Sequence, residues 1–498
     1  RFTDGLSSSE EDFILSLESV AEKIAPSDPL NLYQRLFDKR DFDLYEKNGN
    51  LESQRKKLAE RRKQAINEIL TSGGIDSVIR FSNLVESPFT VGTILADLTN
   101  IETDTILLPT YLKKSEGDVS SFFIRGYIQH RYFNKGWPWV DSLNKSDWNS
   151  RQLFEFLCFL PFTNGTWERV ATWLGDAEEL YWLKVNADPY QDSHIKSRTL
   201  SIAIEKLVKY GRPYAAIHCL HLMFHNKEQI DAAQCVRVLL AAVSSTEPHH
   251  LFEAYDAAEL IKMLQANKEA RKDDLYKVEW AYLSLLDGRH HGGVRPKLLE
   301  NRLANEPDFF CEVVRFICRS KNRDIPDNKF SEQEKNIAKN AWRLLYNWRT
   351  PPGIQEDGSF DRTHFSGWLK RVKELCAESG HLDVALRRIG EKLVYCPSDP
   401  NGLWIDSTVA TILNEKDADE MRNSFRIGLF NSRNDSRLLR AVDPTGKPER
   451  KLAEKYRQQA EDVENEGYHR LAATLRDLAK SYDRDAERII AEHALEQA

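Results

Sequence analysis

The chain has 498 residues, 30% of them charged and 10% aromatic, with a formal net charge of −7. Its 11 Trp, 17 Tyr and 23 Phe supply a large core, which excludes global disorder. The negative balance argues against a surface dominated by nucleic-acid backbone contacts. The longest apolar run, residues 153–162, is broken by Glu155 and Pro161 and falls short of the ~20 residues that span a bilayer. Seven scattered cysteines without a C-x-x-C pair predict reduced, mostly buried thiols in a cytoplasm. The chain begins at Arg1 with neither Met nor a signal-peptide pattern, which leaves room for a longer polypeptide with a further domain upstream.

In chain order, helical periodicity is nearly everywhere and strand alternation nearly nowhere. Ser7-Ser8-Ser9 before Glu10 and Glu11 reads as a helix start, with Phe13, Leu17 and Val20 as its apolar side. Residues 51–70 read as a charged helix stopped by Gly73-Gly74, followed by helices over 75–84 and 91–98. Lys56, Lys57, Arg61, Arg62 and Lys63 form a basic cluster there, the 55–63 stretch through which nucleic acid would bind if it binds at all. The interspersed Glu52, Glu60 and Glu68 suit a solvated, salt-bridged helix instead.

Six tryptophans lie between residues 137 and 182. They read as a packed helical core, with a partner-binding aromatic surface, led by Trp137 and Trp139, as the sharper alternative. The run Asn186-Ala187-Asp188-Pro189 and the Pro-, Gly- and Asp-rich stretch 349–361 are the boundaries. They give four segments: residues 1–72, 73–188, 189–349 and 350–498. The fold expected is all-α, a right-handed superhelical array of helical hairpins. Gly211 to Ala216, Gly380 to Ala385 and Gly467 to Ala472 each repeat the helix-ending Gly and close-packing Ala of tetratricopeptide hairpins, at uneven intervals. The array is therefore a degenerate tetratricopeptide-like solenoid.

No signature of chemistry emerges. Thr445-Gly446-Lys447-Pro448 lacks the upstream glycine and the hydroxyl of a phosphate-binding loop, and the usual zinc-protease, hydrolase and dinucleotide patterns are absent. His218, His221 and His225 share one side of a helix, but their apolar neighbours and the lack of a nearby carboxylate favour packed histidines over a zinc site. Neither metal nor cofactor is expected. Arg125…His130 and Arg212…His218 fit the bare Arg-to-His spacing of HEPN-type helical ribonucleases. Neither has the polar residue usual after the Arg, and Pro213 falls in the wrong place. In Asp287-Gly-Arg-His-His-Gly-Gly-Val-Arg-Pro296 the glycines read as helix stop and turn, making an inter-hairpin corner. Arg289, His290, His291 and Arg295 are its candidates for partner contact.

From Gly73-Gly-Ile-Asp-Ser-Val-Ile-Arg-Phe81 onward the chain resembles the C-terminal helical region of large bacterial multidomain proteins. The resemblance also rests on Ser87-Pro-Phe-Thr-Val-Gly92, Ala338-Lys-Asn-Ala-Trp-Arg-Leu-Leu345 and Asp443-Pro-Thr-Gly-Lys-Pro-Glu449. Many such proteins are similar to STAND-type NTPases of antiviral defence, whose helical repeats sense a phage protein. That resemblance implies a non-catalytic protein-recognition region, with no catalytic residue carried over. A HEPN-like ribonuclease or RNA-binding scaffold, and a passive assembly scaffold, are the alternatives.

Overall fold

The computed structural model describes residues 16–17, 19–20, 23–39, 50–112, 119–188, 197–248, 253–288, 290–318, 331–355, 357–434 and 443–496. Among the described residues there are 22 α-helices and no strand, only an isolated bridge between Ile354 and Phe360. The fold is all-α, with helices packed in neighbouring pairs. The chain divides into two compact units, residues 1–230 with 245–251, and residues 231–244 with 252–498. The start expected at residues 7–9 lies outside the described residues. Leu17 and Val20 are half exposed there and belong to no core.

In the first unit, after a single-turn helix at Pro29–Leu32, α1 (Leu51–Ser82) starts where the Asn50 side chain accepts the Glu52 N–H. The stop expected at Gly73-Gly74 is a kink: Gly74 alone leaves helical geometry (φ 66°, ψ −169°) and the helix resumes. A residue without Cβ tolerates that conformation. There follow α2 (Pro88–Leu98), α3 (Ile101–Tyr111), α4 (Val119–Ser142), α5 (Ser150–Phe159), α6 (Asn164–Leu174), α7 (Glu179–Lys184), α8 (Ser197–Lys209) and α9 (Pro213–His225). Helices α2 and α4 cross with almost no side chain between them. A Cβ on Gly92 would lie 2.0 Å from the Phe123 carbonyl oxygen, and one on Gly126 would lie 2.2 Å from that of Phe89.

The second unit contains α10 (Ala232–Val243), α11 (Ala254–Ala266), α12 (Lys272–Ala281), α13 (Lys297–Asn305), α14 (Pro307–Ile317) and α15 (Glu332–Asn347). It continues with α16 (Arg362–Ser379), α17 (Leu382–Lys392), α18 (Ser407–Asn414), α19 (Asp419–Asn434), α20 (Lys447–Asn465) and α21 (His469–Glu496). Here α17 and α19 repeat the glycine crossing. A Cβ on Gly390 would meet the Met421 oxygen at 2.3 Å, and one on Gly428 the Glu391 oxygen at 2.5 Å.

The three Gly-to-Ala steps all fall on hairpin corners. Gly211, Gly380 and Gly467 take φ of 77°, 73° and 87°. In each, the next residue's N–H returns to a carbonyl five residues back: Arg212 to Leu207, His381 to Cys376 and Tyr468 to Val463, at 2.8–2.9 Å. This is the Schellman closure of a helix end. Ala216, Ala385 and Ala472 are fully buried. A fourth corner has the same bonds without a glycine: Glu228 N–H reaches the Met223 oxygen at 2.9 Å, and Lys227 takes φ 58°.

Candidate partner-binding surface

The 287–296 stretch joins α12 to α13. Gly288, Gly292 and Gly293 all have φ near 74°, and the Gly288 N–H bonds the Val294 oxygen at 3.0 Å. It is the corner the glycines foretold, with Pro296 just before α13 as its N-cap. Arg289 lies outside the described residues. His290 is exposed, its Nδ1 2.7 Å from Asp287 Oδ2 and its backbone N–H bonded to Asp287 Oδ1. His291 is half-buried with φ 47°.

Arg295 does not point outward as a partner contact would. Its guanidinium forks onto Glu300, whose side chain is 1% exposed. Glu300 also accepts the Arg349 N–H (3.3 Å) and the Thr350 hydroxyl (2.9 Å). Beside it the buried Glu279 caps α13, accepting the Leu298 and Leu299 N–H groups at 3.1 and 2.8 Å and the Gln265 amide at 2.6 Å. Burial outweighs these donors, and the neighbouring Glu300 adds repulsion, so the Glu279 carboxyl is pushed up to about 7. The charges under this turn hold it in place.

The tryptophan-rich stretch is a core. Trp139, Trp167 and Trp182 are buried, and Trp137, Trp148 and Trp173 are half-buried. Phe162 meets Trp167 edge-on at 4.9 Å. Trp139 is out of a partner's reach, because its indole N–H is donated inward to Asp104 at 2.8 Å. Asp104 also receives Arg131 Nε (3.1 Å) and the Tyr127 hydroxyl (2.6 Å), all three side chains being buried. Burial, and then the bond to Asp104, push the Tyr127 hydroxyl far above its ordinary value. Trp137 retains an accessible edge, with the Arg169 guanidinium 3.8 Å over its ring and Tyr132 edge-on at 5.0 Å.

The 55–63 basic cluster is dispersed. Arg62 is buried, with Nε on the Leu36 oxygen at 2.5 Å and its guanidinium over Phe37. Lys63 pairs with Asp97 at 3.0 Å, and Lys56 with Glu52. Asp97 also holds His130 Nε2 at 3.1 Å, and Asn134 lies 2.9 Å from the same nitrogen. Arg212 turns to Glu247 and the Val185 oxygen. His221 and His225 stack edge-on at 4.5 Å, and among the described residues no cluster of His, Cys, Asp and Glu is arranged to hold a metal. No described helix is long and apolar enough to cross a membrane.

The residues that sequence reasoning passed over lie on α15. Of the eleven tryptophans, Trp342 is the one exposed, at 47%, and Tyr346 is exposed at 51%. Their rings stack at 4.9 Å and 15°. The helix beneath is fixed: a capping box joins Ser331 and Glu334, and the Asn340 amide holds the Trp280 oxygen. Ala341, Leu344, Leu345 and Trp348 are buried. Lys392 Nζ donates to the Tyr346 oxygen at 2.8 Å, and burial pushes that ammonium down to about 8. The signal was in the sequence. Positions 341, 344, 345 and 348 make the i, i+3, i+4, i+7 core stripe, which leaves 342 and 346 outside it. Comparison with family models, with curated proteins and with solved structures finds no match for this chain.

Proposed function

We propose that the chain is a protein-recognition scaffold whose partner docks on the exposed side of α15. The observation that carries this reading is the exposed Trp342–Tyr346 stack on a helix tied down along its length. Trp, Tyr and Arg dominate binding hot spots, and Arg343 lies between the two rings in sequence. A helix already rigid costs little further ordering on association. Beyond Lys335, which pairs with Glu332 in the first turn, α15 carries Lys339 and Arg343 and no carboxylate. The complementary partner is a protein with an apolar anchor rimmed by Asp or Glu.

The wider reading is a sensor region of a cytoplasmic bacterial antiviral defence protein that binds a phage protein. It is supported by the resemblance of sequence stretches, one of which, residues 338–345, lies on α15. The test compares wild type with the double variant Trp342→Ala/Tyr346→Ala. Both are used as bait in extracts of phage-infected and uninfected bacteria, and the captured protein is then purified and titrated calorimetrically. The double variant is expected to keep the wild-type melting point and to bind at least about tenfold more weakly. Equal binding would overturn the reading. So would RNA cleavage by the purified chain that is lost in Arg125→Ala and His130→Ala.

A further inference from the structure

We propose that Cys311 and Cys376 form a peroxide-responsive thiol pair that closes to a disulfide between α14 and α16. All seven cysteines are free thiols, and these two lie fully buried with their sulfurs 3.3 Å apart. A disulfide needs ~2.05 Å, so the sulfurs have roughly 1.3 Å to close. Two packed helices can absorb that by small side-chain rotations. The pair is 65 residues apart in sequence, so the bond ties a long loop.

The surroundings decide which oxidant reaches the pair. Phe310 packs between Trp348 and Trp368, with centroids 5.6 and 5.1 Å away. Phe310, Val372 and the two cysteines belong to one closed core. A bulky disulfide such as oxidised glutathione has no path into that core. Hydrogen peroxide is close to water in size and enters on a small local opening.

The two thiols are also unequal. The contact with Cys311, helped by the positive charge of Arg315, pulls the Cys376 thiol below its ordinary value, while Cys376 and burial push the Cys311 thiol up. The thiolate is the nucleophile, so Cys376 reacts first. Its sulfur attacks one peroxide oxygen and the O–O bond breaks. Hydroxide leaves and takes up the proton Cys376 lost, giving a sulfenic acid and one water. Cys311 sulfur then attacks the sulfenic sulfur, the S–O bond breaks, and a second water leaves with the Cys311 proton. Two thiols and one peroxide thus yield one disulfide and two waters.

The experiment treats the native chain with hydrogen peroxide, blocks remaining thiols after denaturation, and reads intact mass and peptide map. The expected product has lost two hydrogens, carries a peptide pair joined through Cys311 and Cys376, and returns to the starting mass with dithiothreitol. It unfolds at a higher temperature than the reduced form, and a bulky aromatic disulfide reagent leaves the pair untouched in the native state. Cys311→Ala is expected to abolish the cross-link and to leave a sulfenic acid on Cys376 that dimedone traps. If that variant fails to fold, the wild-type map still decides. Full alkylation of both cysteines after peroxide, or a cross-link that joins other positions, would overturn the proposal.

Discussion

The two units use one device and balance its charge in opposite ways. In each, a helix crosses its second neighbour through a pair of glycines, α2 on α4 and α17 on α19, with a short helix spanning between them. In each, a buried arginine on the last helix ties that short helix down. Arg131 on α4 reaches the start of α3, donating to the Asn100 oxygen at 2.7 Å. Arg422 on α19 reaches the end of α18, donating to the Leu413 and Glu415 oxygens. A helix end carries partial negative charge and accepts a guanidinium, whereas a helix start repels one. The first unit therefore needs Asp104, buried in the first turn of α3, as counter-charge. The second unit needs none inside, and its Asp419 partner stands exposed. Which end of a helix an arginine caps determines whether an anion must be buried with it.

The glycine crossings and the buried arginines test this difference through unfolding. Gly92→Ala places a Cβ against backbone atoms of Phe123 and Tyr127 that cannot give way. It is expected to cost about 4 kcal/mol in denaturant unfolding. Gly428→Ala meets a single backbone carbonyl, that of Glu391, and the movable Val394 side chain, and is expected to cost about half as much. Equal costs would show that the two crossings are equally tight.

The arginines are expected to divide in the same order. Arg131→Met strands Asp104 in the core and is expected to cost roughly 3–5 kcal/mol. Arg422→Met removes bonds to carbonyls while Asp419 stays in water, and is expected to cost roughly 1–2 kcal/mol. A reversed order in the same unfolding assay would sink the argument from helix ends.

The second unit also buries a carboxyl, Glu279, that has no direct cation among the described residues, and this makes the unit's stability depend on pH. Its value rises from 4.5 to about 7 on folding, so the fold binds the proton more tightly than the unfolded chain does. Its contribution is complete below pH 4.5 and is lost as pH rises through 7, by on the order of 3 kcal/mol. Wild type minus Glu279→Gln, measured by denaturation at pH 5 and pH 8, is expected to show that loss. A flat difference would mean that the amide donors compensate for burial.

The smallest effect belongs to Lys227, the left-handed corner without a glycine. Lys227→Gly relieves an unfavourable backbone conformation and is expected to raise stability by up to about 1 kcal/mol. The matching Gly211→Ala is expected to lose a similar amount.

The fold was readable because hairpins advertise themselves locally. Periodic apolar residues, and glycines at three corners, are enough to announce stacked helices. What stayed hidden depended on partners distant in sequence. Arg62 reads as part of a basic cluster until Leu36 and Phe37 fold over it, and Arg295 reads as a loop contact until Glu300 lies beneath it. Lys227 hides because its corner is defined by a dihedral angle, with no residue type to mark it. The aromatic density at 137–182 drew attention to a core, while the exposed pair on α15 had only its phase against the buried stripe to reveal it.

One consequence of that pair is optical. Ten of the eleven indoles are wholly or partly shielded from water, and Trp342 alone stands open. A collisional quencher such as iodide, too large and too hydrated to enter the core, reads chiefly this residue. The face proposed for partner binding thus carries its own fluorescent reporter, and protection of Trp342 from iodide would follow occupation of α15 without any added label.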